Sequence, residues 1–325
     1  MRTIPTALAV GLLALLALVP SARSEDYPNR PVRMIIAFSA GGSVDALGRI
    51  LAQKLSDNWG QQVAVENRTG ALGNIGAVAA AHAPPDGYTL HLAAQSVAVN
   101  VTLASVDDFD PITDLEPIML VATAQDILIV PPNSPFKTVH NLIDYAKANP
   151  GKLTYGTLGT SSSGNMAMAV FCEPNGRLKM QQIAYSQSSQ LTADVMSGRI
   201  DTFFPTTGAH VANVASGRER ALGVSGPRRA AQIPDVPTFA AESGVTYPDA
   251  TSWYAMFAPK GTPRDVILKV NRDIEHVLAL PDVKALEDKL GFITIGGPPA
   301  KLTAFLKSEI DKWAMIAKDP LFLGK

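Results

Sequence analysis

The run Phe38-Ser39-Ala40-Gly41-Gly42-Ser43-Val44-Asp45 has the make-up of an anion-holding turn. It separates a strand-like stretch, Pro31 to Phe38, from a helix-like one, Val44 to Asn58. Adjacent glycines let the chain turn sharply and leave the first N–H groups of the helix uncovered. Those unpaired donors lie at the positive end of the helix dipole, where negative charge is stabilised. Two further loops follow strand-like runs and are rich in small polar residues: Gln95-Ser96, and Thr157 through Gly159, Thr160, Ser161, Ser162 and Ser163 to Asn165. Hydroxyls both donate and accept, so a carboxylate there could take several bonds at once without a charged partner. Each loop alone reads better as a turn with a helix cap. Two glycine/serine loops in separate halves of the chain favour binding.

Catalytic chemistry finds little support. The five histidines, His82, His91, His140, His210 and His276, show no metal-ligand spacing with cysteine or carboxylate partners. Gly159 to Ser163 is not a nucleophile elbow, because serine stands where the second glycine belongs. Gly70, Gly73 and Gly76 match a dinucleotide fingerprint only loosely, since the spacing is GxxGxxG. That segment is expected to be a strand-to-helix turn packed closely on a sheet. No cofactor and no metal are expected, and the chain is read as a non-enzyme.

The elements that must position these loops alternate between strand and helix almost throughout. Val32 to Phe38 is a near-continuous apolar run, as in a strand covered on both faces. Val44, Leu47, Leu51 and Leu55 then recur at helical spacing, with Ser43 as the expected N-cap. Gln62 to Glu66 and Tyr88 to Ala94 are expected strands, with a short helix over Ile75 to Ala83 between them. Pro117 to Val130 exceeds one ordinary strand, and its polar break at Thr123 to Asp126 marks a crossing between two domains. Thr251 to Pro259 is expected to return to the first domain. Thr262-Pro263 then opens a helix whose apolar face runs from Val266 to Leu278. Such alternation predicts an α/β fold with mainly parallel sheets, ligands binding beyond the carboxyl ends of the strands.

The first 24 residues read as a cleavable export signal: Arg2, an apolar run from Ala7 to Val19, then Ala22-Arg23-Ser24. The run is shorter than the ~20 residues that span a bilayer. Removing it takes away Arg2 and Arg23, moving the net charge from −1 to −3. That balance excludes a basic nucleic-acid surface, and any anion site must be local. Cys172 is the single cysteine, so no internal disulfide is possible.

The sequence resembles the periplasmic solute receptors of tripartite tricarboxylate transporters, the Bug family, over essentially the whole mature chain. The resemblance is carried by Tyr27-Pro28-Asn29-Arg30-Pro31, by Phe38 to Asp45, and by Glu66-Asn67-Arg68-Thr69-Gly70-Ala71-Leu72-Gly73. Ala83-Pro84-Pro85-Asp86-Gly87-Tyr88, Ala148-Asn149-Pro150-Gly151-Lys152 and Thr251-Ser252-Trp253-Tyr254 extend it. It implies a two-domain periplasmic binding protein of the type II kind, with residues 25–124 and 229–325 forming one domain and 125–228 the other. It also implies a monomer that closes on a small carboxylate and delivers it to membrane permease subunits. In the family, the first-domain glycine loop and the second-domain polar loop hold the ligand, partly through water. Carried onto this chain, those residues are Ala40, Gly41, Gly42, Ser43 and Asp45, with Thr160, Ser161, Ser162, Ser163 and Asn165. Phe38 and Ser96 border the first wall; Tyr185 and Thr206 fall at edges of the second. The chain departs from the family pattern at Ser163-Gly164-Asn165-Met166, Gln182 to Gln187 and Phe204-Pro205-Thr206, all near the second wall. A sensor subunit for a membrane kinase and a secreted hydrolytic enzyme using the Ser161-Ser162-Ser163 loop are the rival readings.

Overall fold

The computed structural model describes residues 27–316 other than 108, 160–161, 227 and 248–250. The expected export signal, Thr160 and Ser161 lie outside the described residues, as does the side chain of Ser43. Two sheets organise the chain. The first contains β1 (Val32–Ile36), β2 (Val63–Asn67), β3 (Thr89–Ala94), β4 (Leu115–Ala124), β10 (Ser252–Pro259) and β11 (Phe292–Thr294), in the order β11-β4-β10-β3-β1-β2. The second contains β5 (Ile127–Val130), β6 (Thr154–Thr157), β7 (Gln181–Ala184), β8 (Thr202–Phe203) and β9 (Arg220–Val224), in the order β7-β6-β8-β5-β9.

Each sheet has the expected parallel core, β2-β1-β3 in one and β7-β6-β8 in the other. Antiparallel strands extend both, so the sheets are mixed. The cause is the crossing. Only Gln125 and Asp126 separate β4 from β5. A strand entering a sheet from the other lobe starts at the edge where the parallel strands finish, and so runs against them. β10 repeats this on the return path, pairing Tyr254 with Ala94 at the end of β3. The carboxyl ends of β1, β3 and β4 therefore face those of β6, β8 and β9 across the crossing.

Helices cover both faces of each sheet. Along β10 the pleat sends Tyr254, Met256 and Ala258 into one cluster and Trp253, Ala255 and Phe257 into the other. The first cluster takes Leu47, Leu51 and Leu55 from α1 (Ser43–Trp59), each fully buried, and each such side chain contributes about 1.5–3 kcal/mol. The second takes Val97, Ala98 and Val99 from α3 (Ser96–Leu103), with Leu302, Leu306 and Trp313 from the last helix (Pro299–Ile316). Met166 and Val170 of the second lobe join this second cluster. The lobes thus share apolar packing.

Candidate functional site

The glycine loop leaves β1 and enters α1 as expected, with one change at its cap. Gly42, not Ser43, occupies the cap position (φ −81, ψ 171), because Ser43 already begins the helix. Gly41 sits at φ +85, a conformation that L side chains rarely adopt, and a Cβ there would meet nothing within 4 Å. Asp45 folds back from the first turn. Its Oδ2 accepts the Gly41 N–H at 2.9 Å and Arg49 Nε at 2.8 Å, while Oδ1 accepts Asn67 Nδ2 at 2.9 Å. The same Asn67 amide donates to the Phe38 carbonyl at 2.8 Å, pinning the other end of the loop. Burial pushes the Asp45 carboxyl up, but the bonds from Arg49, Gly41 and Asn67 outweigh it and hold the group below its ordinary range.

These contacts show how two of the expected residues are engaged within the loop. The Gly41 N–H is used by the protein itself, and Asp45 is saturated, so both shape the loop. The Val44 N–H donates to no partner among the described residues, Ala40 and Gly41 form a turn that directs the Gly42 N–H back toward the Ser39 carbonyl, and Ala40 to Gly42 are exposed. Beside them, Ser96 opens α3 and is 5% exposed. Gly73 (φ +97) fits between Ser96 and half-buried Phe38: a Cβ there would stand 3.2 Å from Ser96 Oγ and 3.5 Å from Phe38 Cζ. Gly76 lies just as close to β1, where a Cβ would be 2.8 Å from Ala37 Cα. The segment is therefore the close-packed turn read from the sequence.

On the opposite lobe, Ser162 caps α6 (Ser163–Cys172). Its Oγ accepts the Asn165 N–H at 3.3 Å, donates to the Gly159 carbonyl at 2.8 Å and lies 2.9 Å from Thr157 Oγ1. That hydroxyl serves the turn. Ser163, the first helical residue, is half-buried. Asn165 is buried, and its Oδ1 accepts both Tyr155 OH at 3.1 Å and Gln182 Nε2 at 2.8 Å. Tyr185 turns to its own lobe, donating to Asp194 Oδ2 of α7 (Ser188–Met196) at 2.9 Å. Thr206 stands just before α8 (Thr207–Ala215), without a side-chain cap bond to it, and its backbone bridges to Asp126 at the crossing.

The walls meet where Gln95 Nε2 reaches Met166 Sδ at 4.0 Å. Asp126, fully buried, accepts Ser252 Oγ at 3.1 Å through its carboxylate, and its N–H donates to Ser225 Oγ at 2.8 Å, so both passages between the sheets are tied at one residue. Asn67, Tyr155 and Gln182 were not among the expected site residues, and Gln95 was read only as part of its loop. Gln182 gave a signal as a departure from the family pattern, Gln95 as a polar residue after a strand. Two surface cavities of about 460 and 600 Å³ also open on the second lobe. The smaller, between Pro132 and Arg220, lies at the opposite end of the sheet from the crossing. The larger opens between α7 and α8. Neither includes the polar loops. Among the described residues no group of three or more His, Cys, Asp or Glu is arranged to hold a metal.

A sequence profile described as tripartite tricarboxylate transporter family receptor matches residues 47–320. The chain belongs to this family. Protein BugT of Bordetella pertussis is 32% identical over 300 residues, which is 91% of each chain. The solved periplasmic binding protein BugD is 29% identical with a TM-score of 0.79, covering 90% of this chain and 98% of that one. An R. palustris protein solved with adipate is 28% identical with a TM-score of 0.82, covering 90% and 97%. The two-domain α/β fold is that of the periplasmic binding proteins, and the role of a tripartite tricarboxylate transporter receptor is solute binding.

Proposed function

We propose that the chain is an exported periplasmic receptor, working as a monomer, that captures a small organic carboxylate between its lobes and delivers it to membrane permease subunits. Its domains would be residues 25–124 with 229–325, and 125–228, after loss of 1–24. The observation that carries this reading is the exposed Ala40–Gly42 turn at the N-terminus of α1, with the Ser162–Asn165 loop at the matching end of the second sheet. The adipate bound to the R. palustris relative supports the ligand class. Ala40, Gly42, Ser43, Ser96, Thr160, Ser161, Ser163 and Asn165 would face the ligand. Phe38, Gly41, Asp45 and Ser162 would hold the walls in place, and Tyr185 and Thr206 would lie at the margin. The ligand would favour the closed form only to the extent that it binds that form more tightly. Closure removes water from the amides and strengthens each bond to the anion.

The test is Gly42→Phe. A Cβ at Gly42 meets only the Ser39 carbonyl, at 3.6 Å, and φ there suits any residue. The variant should therefore fold with an unchanged melting temperature. It should lose the thermal shift that di- and tricarboxylates give the wild type, since a ligand preferring the native state raises the melting point. An undiminished shift in the variant would dispose of the loop as the anion site.

A further inference from the structure

Gln95 is 3% exposed and stands between β3 and α3, on the first-lobe side of the cleft. Its Nε2 faces the Met166 thioether of the opposite lobe, one residue beyond Asn165. Sulfur is a weak acceptor, so this contact holds the NH₂ end of the amide and fixes where the carbonyl end lies. That oxygen, Oε1, is buried and accepts no hydrogen bond among the described residues. A buried carbonyl without a donor is destabilising, whereas a methionine or leucine would fill the same space without that penalty. The amide is therefore unexplained by packing alone.

We propose that Gln95 Oε1 accepts a hydrogen bond from a neutral donor on the captured carboxylate, so that the preferred ligand carries a hydroxyl or an amide N–H besides its carboxylate. This rests on the carboxylate reading above and names the rest of the ligand. An ammonium donor would call for a free carboxylate nearby, and Asp45 is filled by Gly41, Arg49 and Asn67. A second carboxylate at this position would face an acceptor rather than a donor. The guanidinium nearest the glycine loop, Arg49, is already bound to Asp45 and Asn67.

Calorimetry on wild type and Gln95→Met with matched acids decides this: lactate against propionate, and 3-hydroxybutyrate against butyrate. In the wild type the hydroxy acid of at least one pair should bind about tenfold tighter, which is ~1.4 kcal/mol. Gln95→Met should bring that ratio to within about twofold. The ligand-free variant should melt at or above the wild-type temperature, which a purely structural glutamine would not allow. Plain acids that bind as well as their hydroxy partners, or an unchanged ratio in Gln95→Met, would overturn the Gln95 assignment alone. Failure of every carboxylate to bind the wild type would overturn the carboxylate reading, and this assignment with it.

Discussion

Under the proposed function, Asp45 would belong to a binding site without touching what is bound. Its two oxygens take three N–H donors, from Gly41, Arg49 and Asn67. The bond to Gly41 ties the Ala40–Gly42 turn to the first turn of α1. Replacing Asp45 with alanine leaves the exposed Gly41 N–H to water and the half-buried Asn67 amide short of an acceptor, a loss of about 1–3 kcal/mol for the amide where no water reaches. Asp45→Ala should therefore lower the melting temperature and weaken carboxylate binding together, as read by thermal shift and calorimetry. Gly42→Phe should weaken binding alone, so the two variants separate support of the loop from occupation of it. Asp45 also carries a pH dependence. Its folded carboxyl is held low, so its contribution to stability is present above the unfolded value and disappears as pH falls through the folded one.

At the scale of a single element, β3 buries a titratable group in the centre of the first sheet. His91 is 1% exposed and its Nδ1 lies 3.0 Å from the Ile35 carbonyl. Burial drives its pKa down from 6.5 to about 4, only partly offset by that hydrogen bond. Between those values the unfolded chain binds a proton that the folded one refuses, so stability falls as pH drops through 6.5 toward 4. The full effect is about 3 kcal/mol, of which about 2 kcal/mol is lost by pH 5. Guanidinium titrations at pH 7 and pH 5 should show that difference in the wild type and a flatter one in His91→Gln. An equal slope in both would place the acid sensitivity elsewhere.

Over the whole molecule, the lobes touch backbone to backbone at one point away from the polar loops. A Cβ on Gly208, in the first turn of α8, would sit 1.6 Å from the Leu290 carbonyl oxygen. Leu290 ends helix Pro281–Leu290 of the first lobe, and Gly291 follows it at φ +74. Neither backbone can move aside cheaply, so Gly208→Ala should push the lobes apart. Overpacking of this kind costs about 1–3 kcal/mol. Carboxylate affinity should fall by about tenfold or more although no loop residue has changed. Small-angle scattering would show whether the ligand-bound form has become more open.

Much of this architecture was legible in the sequence because its elements are long and periodic. β1 and α1 were placed within a residue or two, since a doubly covered strand is apolar throughout and a helix on a sheet repeats its leucines. Helix α3 was missed: Ser96 to Asn100 are all buried, so no polar face marks a helical period. The mixed sheets escaped because strand direction depends on which end a crossing strand enters, not on its residues. The glycine loop and the Ser162–Asn165 loop were found from composition alone. Which of their donors remain open was not, since Asn67 lies 22 residues from Asp45 and Met166 lies 71 from Gln95. Residue type and spacing determined the family, the elements and the loops. Only the tertiary structure decided which polar atoms the fold consumes and which it leaves for a guest, because hydrogen bonds are allotted by proximity in space, and folding creates that proximity between residues far apart in the chain.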